Sequence, residues 1–305
     1  MAYQIITDSC CDFTADMYQQ LSLSVQPLTI TYNGETFPDR NDDSLKEMYD
    51  GFRAGQSTST SAVNPDSWGC RMRSVLERGE DALVLAFSSG LSTTYQSAVI
   101  AAEELKAEFP DRKILVSDTL CASLGQGLLV WYACSKRDSG ASMGEGLLVW
   151  YACRKRDEGM PLEELYAWAE DAKLHLCHWF TVDDLMYLKR GGRISSATAL
   201  VGTMLNVKPI LHVDDEGHLV SVSKSRGRKA SIQALAQKVS ELGAGYDNST
   251  MFISHGDCRE DAEFLASILK EKYGVKDVYI NYVGAVIGSH SGPGTLALFF
   301  LGSHR

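Results

Sequence analysis

Residues 83–109 constrain the fold more than any other stretch. Leu83-Val84-Leu85-Ala86-Phe87 is a short, β-prone apolar run, the pattern of a buried strand. Ser88-Ser89-Gly90-Leu91-Ser92-Thr93-Thr94-Tyr95 follows, a cluster of hydroxyl side chains around one glycine. From Gln96 to Phe109 the spacing turns helical, with Ala98, Ile100, Ala101, Leu105 and Phe109 on the inward face. A strand that enters a hydroxyl-rich loop and then a helix gathers backbone N–H groups, hydroxyls and the positive end of the helix dipole at one point. Such a point favours an anion. Ser92 or Thr93 capping the helix is the plainer role for the same residues.

The rest of the first half repeats the strand–loop–helix theme. Tyr3–Thr7 reads as a strand closed by Asp8-Ser9-Cys10-Cys11-Asp12, and Asp12 or Thr14 is placed to cap a helix through Tyr18 and Leu21. Ser24–Tyr32 reads as a second strand ending at the Asn33-Gly34 turn. Asp42–Phe52 reads as a helix, Gly55–Pro65 as a loop and Asp66–Arg78 as a helix leading into the central strand. Lys113–Ser117, closed by Asp118-Thr119, is a further strand. This alternation predicts a parallel sheet with helices on both faces, its ligand beyond the C-terminal strand ends.

A tandem duplication interrupts the pattern. Ala122–Gly140 and Ala141–Gly159 differ at only four of nineteen positions. Two units are too few for a solenoid. On one continuous helix the second copy would be turned by about 100° from the first, so both cannot bury one Leu-Leu-Val-Trp face on one core. One copy is therefore expected to take the helix position and the other to be an insertion. Beyond a helix from Met160 to His175, strands are expected at His178–Thr181, Val207–Val213, His218–Lys224, Thr250–His255, Asp277–Val283 and Leu296–Leu301. Helices at Asp183–Leu188, Lys229–Leu242 and Glu260–Tyr273 separate them, and hairpin signals such as Asp215-Glu216-Gly217 predict a mixed sheet. The expected organisation is α/β: a parallel-sheet domain over 1–173 and an α+β domain over 174–305.

Composition narrows the function. A net charge of −10 argues against a nucleic-acid partner and against adhesion to an anionic membrane. No apolar run approaches the ~18 residues of a membrane span, and no basic-then-apolar leader opens the chain. The eight cysteines are scattered without metal spacing, and reduced thiols are the simpler reading. His175-Leu176-Cys177-His178 has no further ligands at zinc spacing, so no metal is expected. A cytoplasmic protein without stable membrane insertion is the expectation.

Several motifs in order resemble the DegV family. They are Thr7-Asp8-Ser9, Thr60-Ser61, Ser88-Ser89-Gly90-Leu91-Ser92 with Tyr95-Gln96, and Asp118. In the second half they are Phe180 to Ser195, which contains Arg190-Gly191-Gly192-Arg193, then Leu205-Asn206-Val207-Lys208-Pro209-Ile210-Leu211, and Val286 to Gly294 around His290. The resemblance implies a fatty-acid-binding protein that carries no catalysis of its own, with a Rossmann-like parallel-sheet first domain and a smaller second domain. It would hold a long-chain fatty acid as ligand, without other cofactor, while a separate fatty-acid kinase phosphorylates the carboxylate for phospholipid synthesis. By the same resemblance Thr60, Ser61, Ser92, Thr93 and His290 would surround the carboxylate, and Arg190 and Arg193 would help dock the kinase or order the site. Candidates for the acyl-chain wall are Leu200, Met204, Leu205, Ile210, Val283, Val286 and Ile287. The chain departs from the family pattern at Ala62-Val63-Asn64, between Thr60-Ser61 and Pro65, and at Thr93, where a glycine is usual.

The chemistry of these residues is compatible with such a site. Hydroxyls donate to a buried carboxylate without adding a second charge, and a histidine serves as neutral donor or as cation. A competing reading is a lipid ester hydrolase with Ser92 or Ser88, His290 and Asp8 or Asp118 as triad, although no G-x-S-x-G elbow is present. A phosphotransferase like the dihydroxyacetone kinases is a third, and the chain lacks a nucleotide motif for it.

Overall fold

The computed structural model describes residues 2–39, 41–139, 160–195 and 206–305. The chain begins with β1 (Tyr3–Asp8), a 3-10 turn at Ser9–Cys11, α1 (Ala15–Gln20), β2 (Ser24–Gln26), β3 (Thr29–Tyr32) and β4 (Glu35–Pro38). Next come α2 (Leu45–Arg53), β5 (Thr58–Ser61), α3 (Pro65–Leu76), β6 (Asp81–Ala86), α4 (Thr94–Glu108), β7 (Ile114–Asp118) and α5 (Leu124–Ser139). After α6 (Leu162–Ala172) follow β8 (Leu176–Thr181), α7 (Met186–Arg190), β9 (Val207–Val213), β10 (Leu219–Arg226) and α8 (Arg228–Leu242). The last elements are β11 (Thr250–His255), α9 (Arg259–Tyr273), β12 (Asp277–Tyr282), α10 (Ala285–Ser291) and β13 (Leu296–Leu301).

One sheet is parallel, in the order β2-β1-β6-β7. Every residue of β6 is buried, which explains why it reads as an unbroken apolar run. Side chains alternate across this sheet. Ile6, Ala82, Val84 and Ala86 pack toward α3 and α4, while Ile5, Leu83 and Leu85 pack toward α5. The second sheet is mixed, in the order β10-β9-β8-β13-β11-β12, with only the β11–β12 pair parallel. Its outer face packs on α8 and α9; its inner face sends Phe180, Phe252, Ala297 and Phe299 against α5.

Helix α5 is therefore a layer shared by both sheets. Leu124, Leu128, Leu129, Val130, Ala133 and Cys134 are all fully buried, so the helix has no solvent stripe along this stretch. Each large aliphatic side chain buried there contributes roughly 1.5–3 kcal/mol. Gly125 and Gly127 let the helix approach both sides: a Cβ at 125 would overlap the His178 ring, and one at 127 would lie 2.7 Å from the Cys11 carbonyl oxygen. The first repeat copy thus fills the helix position; the second lies outside the described residues.

Two expectations are corrected. Ser24–Tyr32 is not one strand, because β2 belongs to the parallel sheet and β3 to a separate antiparallel sheet of order β4-β3-β5. Pro27, which has no N–H, separates them, and the Leu28 N–H turns to Ser9 Oγ at 3.1 Å. Residues 55–65 are not all loop, since Thr58–Ser61 forms β5 on β3.

Candidate functional site

A cavity of about 480 Å³ lies between the C-terminal ends of the parallel strands and the inner face of the mixed sheet. That volume is ordinary for a small-molecule pocket. Most of its wall is apolar, supplied by Leu28 and Phe87 from the first sheet's side, by Val283, Val286 and Ile287 around the start of α10, and by Phe180, Ala297 and Phe299 from the mixed sheet.

Polar groups gather where β5, the β6–α4 loop and α10 meet. β5 alternates, turning Thr60 inward while Ser61 is exposed. Thr60 Oγ1 and His290 Nε2 are hydrogen-bonded at 2.8 Å. His290 belongs to α10 and not to a turn, and Gly191 allows its close approach: a Cβ there would lie 2.5 Å from Nδ1. Burial, assisted by the positive charge of Arg193, lowers the His290 pKa to about 4, so the ring is neutral at pH 7. Ser92 also lines the cavity; its Oγ accepts the Thr94 N–H at 3.2 Å and bonds Thr94 Oγ1 at 2.9 Å. Thr93 stands next to it at the helix cap, more exposed.

Arg193 completes this end. It lines the cavity, and its guanidinium donates to the carbonyls of Gly191 and Leu91, the latter at 3.0 Å. Among the described residues no carboxylate pairs with it, and burial lowers its pKa. Arg190, by contrast, is exposed and lies over the Tyr187 ring at 4.5 Å.

The loop amides, expected to face an anion, are engaged within the protein. Asp118 Oδ1 accepts from Ser89 N and Leu120 N, both at 3.1 Å, while the N–H groups of Leu91 and Ser92 bond the Ser88 carbonyl. Asp8 accepts from Phe87 N at 2.7 Å and Cys10 N at 3.0 Å; burial raises its pKa to about 6. These two aspartates therefore hold the strand-end loops in shape. The hydrolase triad is not assembled: Asp8 and Asp118 serve backbone N–H groups, and the partner of His290 Nε2 is Thr60.

The matches to known proteins agree with this architecture. The DegV family model, which describes an uncharacterised protein family, matches residues 2–145 and 139–303. The chain belongs to the DegV family. Its matched stretches overlap inside the duplication, as expected for a segment present twice. A DegV domain-containing protein of Clostridium perfringens is 42% identical over 305 residues, covering 99% of this chain and 98% of that protein. A DegV family protein from Thermus thermophilus, described for its fatty-acid binding, has a TM-score of 0.82 at 28% identity and covers 99% of this chain and 100% of its own. DegV of Bacillus subtilis, described as a fatty acid binding protein, has a TM-score of 0.78 at 27% identity, with 99% and 100% covered.

Of the residues singled out by the DegV motifs, Thr60, Ser92, Thr93, His290 and Arg193 all line the cavity. Ser61 does not, because strand alternation turns it outward. Val283, Val286 and Ile287 line the wall, but Ile210 is a correction: Leu211 and Val213 face inward, so Ile210 packs on the outer face with Ile232 and Leu235 of α8. Leu200, Met204 and Leu205 lie outside the described residues. Phe180, Ala297 and Phe299 were missed, although the period-2 pattern of the two strands marks them as sharing a face. No helix among the described residues is long and apolar enough to cross a membrane.

Proposed function

We propose that this protein binds a long-chain fatty acid, its acyl chain in the apolar cavity and its carboxylate at the end formed by Thr60, Ser92, His290 and Arg193. The observation that carries this reading is an arginine that has no carboxylate partner among the described residues, beside a neutral histidine–threonine pair, at one end of an otherwise mostly apolar chamber. A carboxylate there gains charge-assisted hydrogen bonds, which are stronger than neutral ones. The fatty-acid binding described for the Thermus thermophilus and Bacillus subtilis relatives supports the same ligand class.

In this reading the protein presents the bound carboxylate to a separate fatty-acid kinase. Arg190, exposed at the end of α7 just before the turn that carries Arg193, is the residue on which that partner would dock. Thr93 borders the head group at the more open edge. Native mass spectrometry of the purified protein is the test. A co-purified species of fatty-acid mass, displaced by added octadecanoic acid, is expected. Ester turnover by the protein alone, with no fatty acid bound or taken up, would overturn the reading.

A further inference from the structure

One side of the chamber is closed by a hairpin that leaves its sheet to do so. β9 and β10 pair from Val207–Arg226 to Val213–Leu219, and Val213 and Leu219, opposite each other next to the turn, both line the cavity. β8 pairs with β13 along its whole length but with β9 only at Trp179–His212 and Phe180–Leu211. Beyond His212 the hairpin therefore has no support from β8, and its tip reaches across to the loops at the C-terminal ends of the parallel strands.

The tip is stiff in itself. Asp214 N and Gly217 N donate to the carbonyls of His218 and Asp214, both at 3.0 Å, and Asp214 Oδ1 accepts from Glu216 N at 3.0 Å and His218 N at 2.9 Å. Its hold on the first sheet's loops is slight. Among the described residues a single hydrogen bond crosses the seam, from Ser88 Oγ to the Gly217 carbonyl at 3.1 Å. Gly90 lies against the same carbonyl, where a Cβ would come within 2.7 Å of the oxygen. The wall next to α10 is tied more firmly: Tyr49 Oη donates to the Val283 carbonyl at 2.9 Å, and Asn41 and Asn281 donate to the Asp12 carbonyl at 3.0 and 2.8 Å.

We propose that residues 213–219 form a lid, which lifts from the β6–α4 loop about a hinge at Leu211–His212 to admit and release the ligand. This rests on the fatty-acid reading of the cavity. The moving part is rigid and its hinge lies where a ladder ends. Parting the seam breaks about one neutral hydrogen bond, a factor of roughly 2–10 in the closing equilibrium. An acyl chain in the chamber covers Val213 and Leu219 only when the lid is down, so the bound ligand favours the closed form.

The test is stopped-flow exchange of octadecanoic acid against a fluorescent fatty acid, on the full chain. In Ser88→Cys/Gly217→Cys a disulfide locks the seam. A Cβ at 217 would overlap the Ser88 hydroxyl, so the two cysteines are within bonding reach, and neither position lines the cavity. The strain of a side chain at Gly217, where φ is 80°, is common to the oxidised and reduced forms. Uptake and release should be at least tenfold slower in the oxidised form than after reduction, with native protein indifferent to the same treatment. Gly90→Ala, also outside the cavity wall, pushes the tip off the loop and should raise both rates at least threefold, with Kd kept within about threefold. Should either variant misfold, the other decides. Equal rates in the oxidised and reduced forms, or in Gly90→Ala and the native protein, would overturn the lid and leave the fatty-acid reading intact. Failure of every form to take up acid would remove both.

Discussion

Replacing Thr60 by Val removes one hydroxyl while keeping a β-branched side chain opposite Ile30 in the β3–β5 pair. Without ligand, the loss is the 2.8 Å bond to His290 Nε2. A neutral hydrogen bond of that kind contributes about 1 kcal/mol, so Tm should fall by no more than about 2–4 °C. In the proposed complex the same hydroxyl donates to the fatty-acid carboxylate, and a bond to a charged group is worth about 1.5–3 kcal/mol. Kd for octadecanoic acid should therefore rise roughly 10- to 150-fold. The assay is displacement of a fluorescent fatty acid, run in parallel with octadecanol, which keeps the chain and lacks the charge. Octadecanol should lose distinctly less affinity, and Thr60→Ser should restore most of the acid binding. Equal losses for acid and alcohol, or an acid Kd within about twofold of wild type, would refute the placement of the carboxylate at Thr60.

Three other outcomes are expected. With a cognate fatty-acid kinase, Arg190→Ala should lower acyl-phosphate formation while fatty-acid Kd stays within about twofold, whereas Arg193→Ala should raise Kd at least tenfold; matched losses in both variants would place both arginines in one role. His290 has a folded-state pKa of about 4 against 6.5 for a free histidine, so its neutral form belongs to the fold. Its contribution is present above pH 6.5 and is lost as pH falls toward 4, at about 1.4 kcal/mol per pH unit, and urea unfolding should show His290→Gln losing that share of the acid slope. Deleting residues 141–159 should leave cooperative unfolding unchanged, while deleting 122–140 should destabilise the protein at pH 7.5 by on the order of 3 kcal/mol.

The parallel sheet was readable because strands buried on both faces, such as Leu83–Phe87, appear as apolar runs between loops. The same double burial hid the direction of Ile210. Both faces of β9 are apolar, so composition could not say that Leu211 faces α5 and Ile210 faces α8. Thr58–Ser61 looked like loop because four small hydroxyl residues carry no apolar alternation; β3 makes them a strand by offering a pairing edge. That pairing, and not the local sequence, turns Thr60 toward His290 and Ser61 away. By the family resemblance Arg193 was expected to help dock a kinase or to order the site, while Arg-Gly-Gly-Arg by itself reads as a solvated basic turn. Its guanidinium reaches the Leu91 carbonyl, a contact between residues 102 positions apart that no local pattern announces.

The unequal effect of the two deletions follows from one of the four differences between the copies. The third, fifth, fourteenth and eighteenth positions differ, and the fifth is Gln126 in the first copy and Glu145 in the second. Gln126 is fully buried, and its Nε2 donates to Thr7 Oγ1 at 3.1 Å and to the Leu85 carbonyl at 3.3 Å. The same side chain helps to offset the rise that burial imposes on the pKa of the nearby Asp8 carboxylate. Removing residues 122–140 joins Cys121 to Ala141 in unchanged register and brings Glu145 to this position. A glutamate has no N–H to offer, so it faces two oxygen acceptors and a second buried carboxylate. Its pKa in the folded state must rise above the unfolded value. The penalty is full above that folded-state pKa and disappears as pH falls below the unfolded one, so the stability gap between the two deletions should narrow from pH 7.5 to pH 5. Glu145→Gln in the 122–140 deletion should close it at every pH. A gap that survives this substitution would mean that Ser135, Leu124 or the junction itself, and not the buried amide, makes the first copy the one that fits between the sheets.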